Sequence, residues 1–318
     1  VPNTNPVVLD ARGEAAVFWD GAYKVVLKTA ADVTIWTVDG ITSSSVPVDA
    51  LAVALQTDAN GSGADLVAGT IRVVTSIAAL RAVGSSGRNV VMVAGYYSAG
   101  DGGGGLYRLD TGDTTTADNG GTVIVGAGNA RWKLIHSGRI SVKQFGARGD
   151  GVTDDALAVR ACIDYCVGPQ YTVVVSAPSV YYLIKSTIPI YNGTKIEGES
   201  SGQFVQAYSQ IPKFSRIHFA PTAAGTDLFV PTRYGNTDPF IELISVSGLY
   251  CSAGPGARFC FNNAGAIYST FRDLGIMDFV AGFNIALSIQ NRYENILIKG
   301  STTAPVIYSS MSDVATTD

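Results

Sequence analysis

The stretch Ser141–Val159, SVKQFGARGDGVTDDALAV, decides how the rest of the chain is read. It holds the triplet Arg148-Gly149-Asp150 and two adjacent carboxylates, Asp154 and Asp155. Three readings compete: an adhesion motif, an acid/base site, and the start of a fold. The residues that follow favour the third. Val159, Cys162, Ile163 and Cys166 recur at i, i+3, i+4, i+7, one face of an amphipathic helix. Thr153 stands where an N-cap hydroxyl accepts from the free N–H groups of a first turn. Asp154 and Asp155 then fall inside that turn, against the positive end of the helix. Gly168-Pro169 closes the helix. Adjacent helical residues point about 100° apart, so the two aspartates cannot flank one glycosidic bond as an acid/base pair does. Helix-end electrostatics accounts for them without catalysis, and the glycines beside Arg148 set a turn ahead of the helix.

The 318-residue length suits two or three domains. Charged residues are 15%, while glycine reaches 36 residues and apolar residues 47%. Low charge with abundant Gly, Val, Ile and Thr predicts many short strands and tight turns, not helical bundles. The net charge is -4 and no basic run exists, which excludes nucleic acid and anionic membrane as expected partners. The longest apolar run, NVVMVAGYY (Asn89–Tyr97), is of strand length, so no membrane insertion is expected. The chain begins with Val and lacks a signal-peptide pattern, so a trimmed or processed start is expected. The four cysteines, Cys162, Cys166, Cys251 and Cys260, are too few for a disulfide scaffold and lack zinc spacing. They read as small buried thiols. No metal site and no cofactor are expected.

Four regions follow. Residues 1–41 form a small β module: Asp20-Gly21 in WDGAYKVVL is a hairpin signal, and VTIWTVDGI supplies a second strand. A module of about 40 residues is too small to bury a core of its own, so it needs sister chains or a docking partner. In residues 42–69, Val48, Leu51, Ala52 and Leu55 mark a short helix, followed by the break DANGSG. That helix is either a spacer or a self-association element on a threefold axis. Residues 70–138 form a second β-rich module, with a strand and short helix in TIRVVTSIAALRAV. Its AGDGGGGLY cluster is read as a tight turn, because a phosphate cradle needs a helix next and the strand-like LYRLD follows instead. Residues 139–318 contain short β runs at Val173–Val175, Tyr181–Ile184, Ile188–Ile190 and Lys195–Ile196. Two later segments echo each other: Leu274 maps onto Ile296 and Ile276 onto Ile298, each 22 residues on. Leu249 lies 25 residues before Leu274. Apolar-x-apolar strands at this period indicate a solenoid.

The segment VKQFGARGDGVTDDALAVRACID resembles the V-x-x-FGA-x-GDG-x-x-DD signature that opens the pectate-lyase-like superfamily of right-handed β-helices. The resemblance implies a strand and helix covering the open N-terminal end, which would otherwise expose unpaired backbone. YYLIKSTIPIYNGTKIEGES resembles the first rungs that follow. The preceding SAGDGGGGLYRLD and GGTVIVGAGNARWKLIHSGRISVKQFGA are similar to what precedes the β-helix in tailed-phage tailspikes and tail fibres. NTNPVVLDARGEAAVFWDGAYKVVLKTAADVTIWTVDGI resembles the virion-anchoring N-terminus of such proteins from short-tailed phages. The expected fold class is therefore all-β: small N-terminal β modules, then a right-handed parallel β-helix with an N-terminal capping helix. The resemblance further implies a homotrimer in the virion tail, held to tail or adaptor proteins through residues 1–41. Its β-helix would bind, and in many members depolymerise, host capsule or lipopolysaccharide.

No catalytic residue is assigned. Carboxylate candidates past the cap are Glu197, Glu199, Asp227, Asp238, Glu242, Asp273, Asp278 and Glu294. Glu197 and Glu199 lie two apart on a strand and share a face, although the turn EGES favours a solvated pair. Asp273 and Asp278 fit rung corners. Asn236-Thr237-Asp238 is similar to a polygalacturonase motif, but no Gly-His-Gly or Asp-Asp partner follows it, and the histidines are His136 and His218. A lyase would need a poised base, and no spacing singles one out. A second functional class is a non-enzymatic tail component that anchors or recruits another receptor-binding protein. The chain stops in SSMSDVATTD without a recognisable terminal cap, so any active region is expected beyond Asp318 or on another polypeptide.

Overall fold

A computed structural model describes residues 7, 11–12, 22–42, 71–85, 89–199, 214–232, 241–300 and 307–308. The chain divides into two compact units, Val1–Gly69 and Thr70–Asp318. In the first, Ala22–Lys28 and Thr34–Thr42 pair as an antiparallel hairpin. The chain reverses between Thr29 and Val33, where the Thr29 N–H donates to the Val33 carbonyl at 2.8 Å and Asp32 adopts φ 64°. The expected turn at Asp20-Gly21 and the expected helix around Val48 and Leu55 lie outside the described residues.

The second unit begins with a five-stranded sheet ordered Arg72–Val74, Val90–Val93, Gly105–Leu109, Arg131–Leu134, Val123–Val125. Its first pair is parallel, and a parallel pair needs a crossover. Helix α1 (Ile77–Arg81) provides it, N-capped by Ser76 and burying Ile77 and Leu80. Trp132 is fully buried and donates from its indole N–H to the Val83 carbonyl at 3.2 Å. The glycine cluster wraps around a carboxylate of the chain itself. Asp101 accepts from the N–H groups of Tyr96, Tyr97, Ser98 and Gly103 at 2.7–3.0 Å. Burial disfavours its charge, yet the four amide donors hold the carboxyl below its ordinary value. Those donors are thus occupied internally.

From Arg139 onward the chain coils as a parallel β-helix. The first ladder stacks Arg139–Ser141, Thr172–Val175, Lys195–Gly198, Ser245–Ser247 and the leading halves of Thr270–Met277 and Arg292–Lys299. A second ladder stacks Tyr182–Ile184, Ser215–Phe219, Leu249–Ala253 and the trailing halves of those same two strands. A third stacks Ile188–Ile190, Phe229–Pro231, Phe259–Asn262, Ala281–Asn284 and Ile307–Tyr308. The register pairs Leu274 with Ile296 and Ile276 with Ile298, as the period requires. Corners between the first two ladders need a left-handed residue: Gly248, Asp273 and Asn295 have φ of 69°, 54° and 48°. Short polar side chains tolerate that region better than most. Asn295 also donates to Asp273 Oδ1 at 2.7 Å one rung below.

Parallel register places like on like inside the coil. Ile140, Val173, Ile196, Val246 and Phe271 form one inward column. Phe229, Phe261 and Phe283 form another, with ring centroids 5.0 and 5.3 Å apart and planes within 14°. Each fully buried Phe contributes roughly 1.5–3 kcal/mol of transfer free energy. The four cysteines are free and buried, and burial pushes the Cys162 and Cys260 thiols well up.

Helix α2 (Ala156–Val167) buries Val159, Cys162, Ile163 and Cys166 over the first rung. Its start differs from expectation. Thr153 is not the N-cap: its hydroxyl donates to Asp150 Oδ2 at 2.8 Å, and Asp155 holds the cap position. The physical reason is the loop before the helix, whose amides need an acceptor. The Arg148 and Gly149 N–H groups donate to Asp155 at 2.7 and 3.0 Å, and Asp155 is only 2% exposed. Satisfying those amides outweighs capping, so the Asp155 carboxylate turns back to the loop. Asp154 Oδ1 accepts from the Ala156 N–H instead, at 3.1 Å. Gly149 and Gly151, at φ 64° and 77°, make the turn.

Asp155→Ala strands two N–H groups, at about 1–3 kcal/mol for the buried one of Gly149. Thermal unfolding should therefore show a clear loss of stability, and Asp155→Asn a smaller one. A second test concerns His136. Its Nδ1 accepts from the Gly138 N–H at 3.1 Å and its Nε2 lies 3.0 Å from the Tyr165 hydroxyl, with Tyr171 packed alongside. Burial lowers its pKa below the ordinary 6.5. Its contribution is therefore full above that value and is lost as pH falls below it. The stability of His136→Gln should fall less than that of the unsubstituted chain on acidification, read as melting temperature against pH.

Candidate functional site

Alternation along each strand sends every second side chain outward. In Ser215–Phe219, Ser215, Ile217 and Phe219 are buried, and Arg216 and His218 face out. The next rung sets Tyr250 beside Arg216 and Ser252 beside His218. The rung after it brings Gly275 beside Tyr250 and Met277 beside Ser252. Gly275 carries no side chain, and the following rung sets Leu297 beside it.

This face gathers aromatic rings and hydrogen-bonding groups. Phe214 meets Tyr250 edge-on, with centroids 5.5 Å apart, and Tyr250 is a buried floor whose hydroxyl contacts Met277 Sδ at 3.2 Å. The Arg216 guanidinium lies 5.4 Å from the Phe214 centroid and 5.9 Å from that of Tyr250. Tyr181 packs on His218 at 5.1 Å. His218 Nδ1 and Ser252 Oγ are 3.0 Å apart and share a hydrogen bond. Burial lowers the His218 pKa; Asp278 acts to raise it and Arg216 to lower it further. His218 is therefore neutral at neutral pH. Rings offer stacking to a ligand, and the Arg, His and Ser groups offer directed polar contacts.

The carboxylate candidates are dispersed instead. Glu197 is ion-paired with Arg139, and Glu199 accepts from the Ala177 N–H at 3.1 Å. The two therefore have separate partners. Asp227 is buried and holds Arg258 through two bonds of 2.7 and 2.6 Å, with Asn262 and the Phe259 N–H as further donors. Glu294 is paired with Arg292. Asp273 and Asp278 occupy left-handed corners, the latter at φ 65°. Glu242 lies on the short strand Ile241–Glu242, away from this face. Asp238, with the Asn236-Thr237-Asp238 motif, lies outside the described residues. Among the described residues no group of three or more His, Cys, Asp or Glu is placed to hold a metal.

Arg216, Tyr250 and Ser252 were not singled out by the sequence reading. The available signal was a 34-residue offset between His218 and Ser252, too far from the regular step to be noticed. A second concavity of about 160 Å³ lies between the five-stranded sheet and the loop before α2. Of the charges that line it, Asp101 is engaged by amides, Asp150 by Thr153 and Val152, and Arg148 lies over the Tyr97 ring at 3.7 Å. With the Tyr97 hydroxyl donating to the Gly146 carbonyl at 2.9 Å, it is a structural joint.

Residues 73–137 match the family described as phage tail protein small four-stranded beta-sheet domain. Residues 139–252 match the family described as rhamnogalacturonase A/epimerase, pectate lyase-like. The chain is 33% identical over 117 residues to a Mu-like prophage FluMu defective tail fiber protein of Haemophilus influenzae, covering 35% of this chain and 18% of that protein. It is 31% identical over 81 residues to a non-secreted LysM effector of Penicillium expansum, covering 26% of this chain and 6% of that protein. The chain thus spans less than a fifth of the length of these relatives. Among solved structures, the gp42 tailspike of Acinetobacter phage vb_AbaP_AS12 has a TM-score of 0.56 at 14% identity, covering 70% of this chain and 39% of that one. The tailspike of Acinetobacter phage vB_ApiP_P1 has a TM-score of 0.51 at 18% identity, covering 76% and 41%. These two likenesses carry the fold, a tailspike parallel β-helix. The chain thus carries a phage tail β-sheet domain over residues 73–137, followed directly by a pectate-lyase-like domain over residues 139–252.

Proposed function

We propose that this chain is a tailspike subunit whose β-helix binds host surface polysaccharide, capsule or lipopolysaccharide, through the outward face of the second ladder. The observation that carries the reading is the convergence of Tyr181, Phe214, Arg216, His218 and Ser252 on one face held in register by the rungs. The family matched by residues 139–252 takes its description from enzymes of pectic polysaccharide, which supports a sugar ligand. Residues 1–41 attach the subunit to tail or adaptor proteins, residues 42–69 link, residues 70–138 form the adaptor module, and residues 139–318 are the capped β-helix. Binding is favoured over depolymerisation at this face, because Asp227, Glu197, Glu294 and Asp273 are all engaged within the fold. The subunit works as a homotrimer. Support comes from apolar side chains exposed along one corner at successive levels: Leu243 at 58%, Tyr268 at 53% and Ile289 at 44%. Leu243 and Tyr268 hold φ of 59° and 51°, and a bulky residue so strained and so exposed calls for a covering partner.

Fluorescently labelled protein should adsorb to host cells and lose adsorption when capsule and lipopolysaccharide are stripped. Tyr181→Ala should weaken adsorption by about tenfold, on the order of 1.4 kcal/mol. Polysaccharide incubated with the protein should keep its size on gel filtration, and release of oligosaccharides would replace binding with depolymerisation. Light scattering should give three times the chain mass, and a Leu243→Asp, Tyr268→Asp double variant should reduce it to one. A monomeric unsubstituted protein would remove the trimer.

A further inference from the structure

We propose that Arg216 recognises a carboxylate-bearing sugar, so that the polysaccharide is an acidic one; this rests on the glycan-binding reading above. The inference starts from an unmet donor. Arg216 Nε is buried and has no hydrogen-bond partner, and a buried donor on a charged group is costly to leave unmade. Several other cations of this unit have partners of their own. Arg258 holds Asp227, Lys133 holds Asp110 and Asp113, Arg139 holds Glu197, and Arg131 is bonded to the Asn129 and Thr114 carbonyls. Arg216 instead has two aromatic faces, Phe214 and Tyr250. These orient the guanidinium and exclude water without neutralising it.

Among the described residues, its immediate neighbours offer it no anion. Its ladder neighbour Tyr250 is uncharged, and His218 two residues on is neutral and hydrogen-bonded to Ser252. Asp278 lies on the His218 side, where its field acts on the imidazole. Glu199, the nearest carboxylate in the preceding rung, accepts from the Ala177 N–H. A planar guanidinium can meet a carboxylate bidentately through its two terminal nitrogens, leaving the shielded Nε side against the rings. Tyr181 and Phe214, on either side, supply stacking for the sugar ring that carries it. A neutral glycan would leave the charge uncompensated, so the site discriminates by what it leaves unpaired.

The test uses a panel of purified capsular polysaccharides, uronate-bearing and neutral, with the carboxyl-reduced form of each uronate-bearing polymer. Binding is measured by calorimetry for the full chain and for Arg216→Met and Arg216→Lys, each checked for an unchanged melting temperature. The expected result is binding to a uronate-bearing capsule that drops about tenfold or more on carboxyl reduction, the scale of a lost charge-assisted pair. Arg216→Met should bind native and reduced polymers equally, and Arg216→Lys should fall between, because it keeps charge and loses the fork. If reduction leaves the affinity of the unsubstituted chain unchanged, or if only neutral capsules bind, the Arg216 assignment fails while the glycan reading stands. Equal weakening of both polymers by Arg216→Met would make Arg216 a packing residue and also end the proposal. Failure to bind any capsule or lipopolysaccharide would overturn the glycan reading itself.

Discussion

Two backbone N–H groups, those of Arg148 and the buried Gly149, lie in the loop that leads into the coil, and one carboxylate answers both. That small arrangement carries the rest. A stack of parallel rungs has an open first level, and the loop and α2 must sit on it without leaving amides unpaired. Asp155 satisfies the loop, while its own N–H donates to the Leu183 carbonyl at 2.8 Å. Asp154 joins α2 to the second ladder by accepting from Lys185 as well as Ala156. The two aspartates thus bind loop, helix and rung to one another, a structural use that excludes neither charge nor burial.

Once the first level is fixed, register propagates. Each inward column repeats apolar residues, and each outward column repeats a position relative to solvent. Residues distant in sequence are therefore brought to one face with little freedom to slip, because a one-residue shift would turn Ile217 and Phe219 outward. The second ladder exploits this. Arg216, Tyr250 and Gly275 follow one line across three rungs, and His218, Ser252 and Met277 the next.

What was legible in the sequence follows the same logic. The cap and its helix were readable because their signals are local: an apolar stripe, glycines and a closing Gly168-Pro169. The late rungs were readable because Leu274 and Ile296, and Ile276 and Ile298, keep a fixed step of 22 residues. The middle rungs were not, since Lys195 pairs with Ser245 across turns of irregular length. Arg216 and Tyr250 therefore could not be aligned by eye. Thr153 was misassigned because a hydroxyl before an apolar run looks like a cap wherever it stands, and the competing demand came from amides that only the fold leaves in need of an acceptor. Asp227 looked like any free acid until folding set Arg258 and Asn262 against it.

The ring column of Phe229, Phe261 and Phe283 has a mechanical consequence. In a parallel coil the inter-strand hydrogen bonds run along the stacking axis, so tension in that direction loads the rungs in series and opens them at the weakest level. Compression meets a different element: rings already stacked at 5.0 and 5.3 Å, in an interior whose ordinary packing density leaves little to yield. The stack is thus stiff when pushed and peels when pulled.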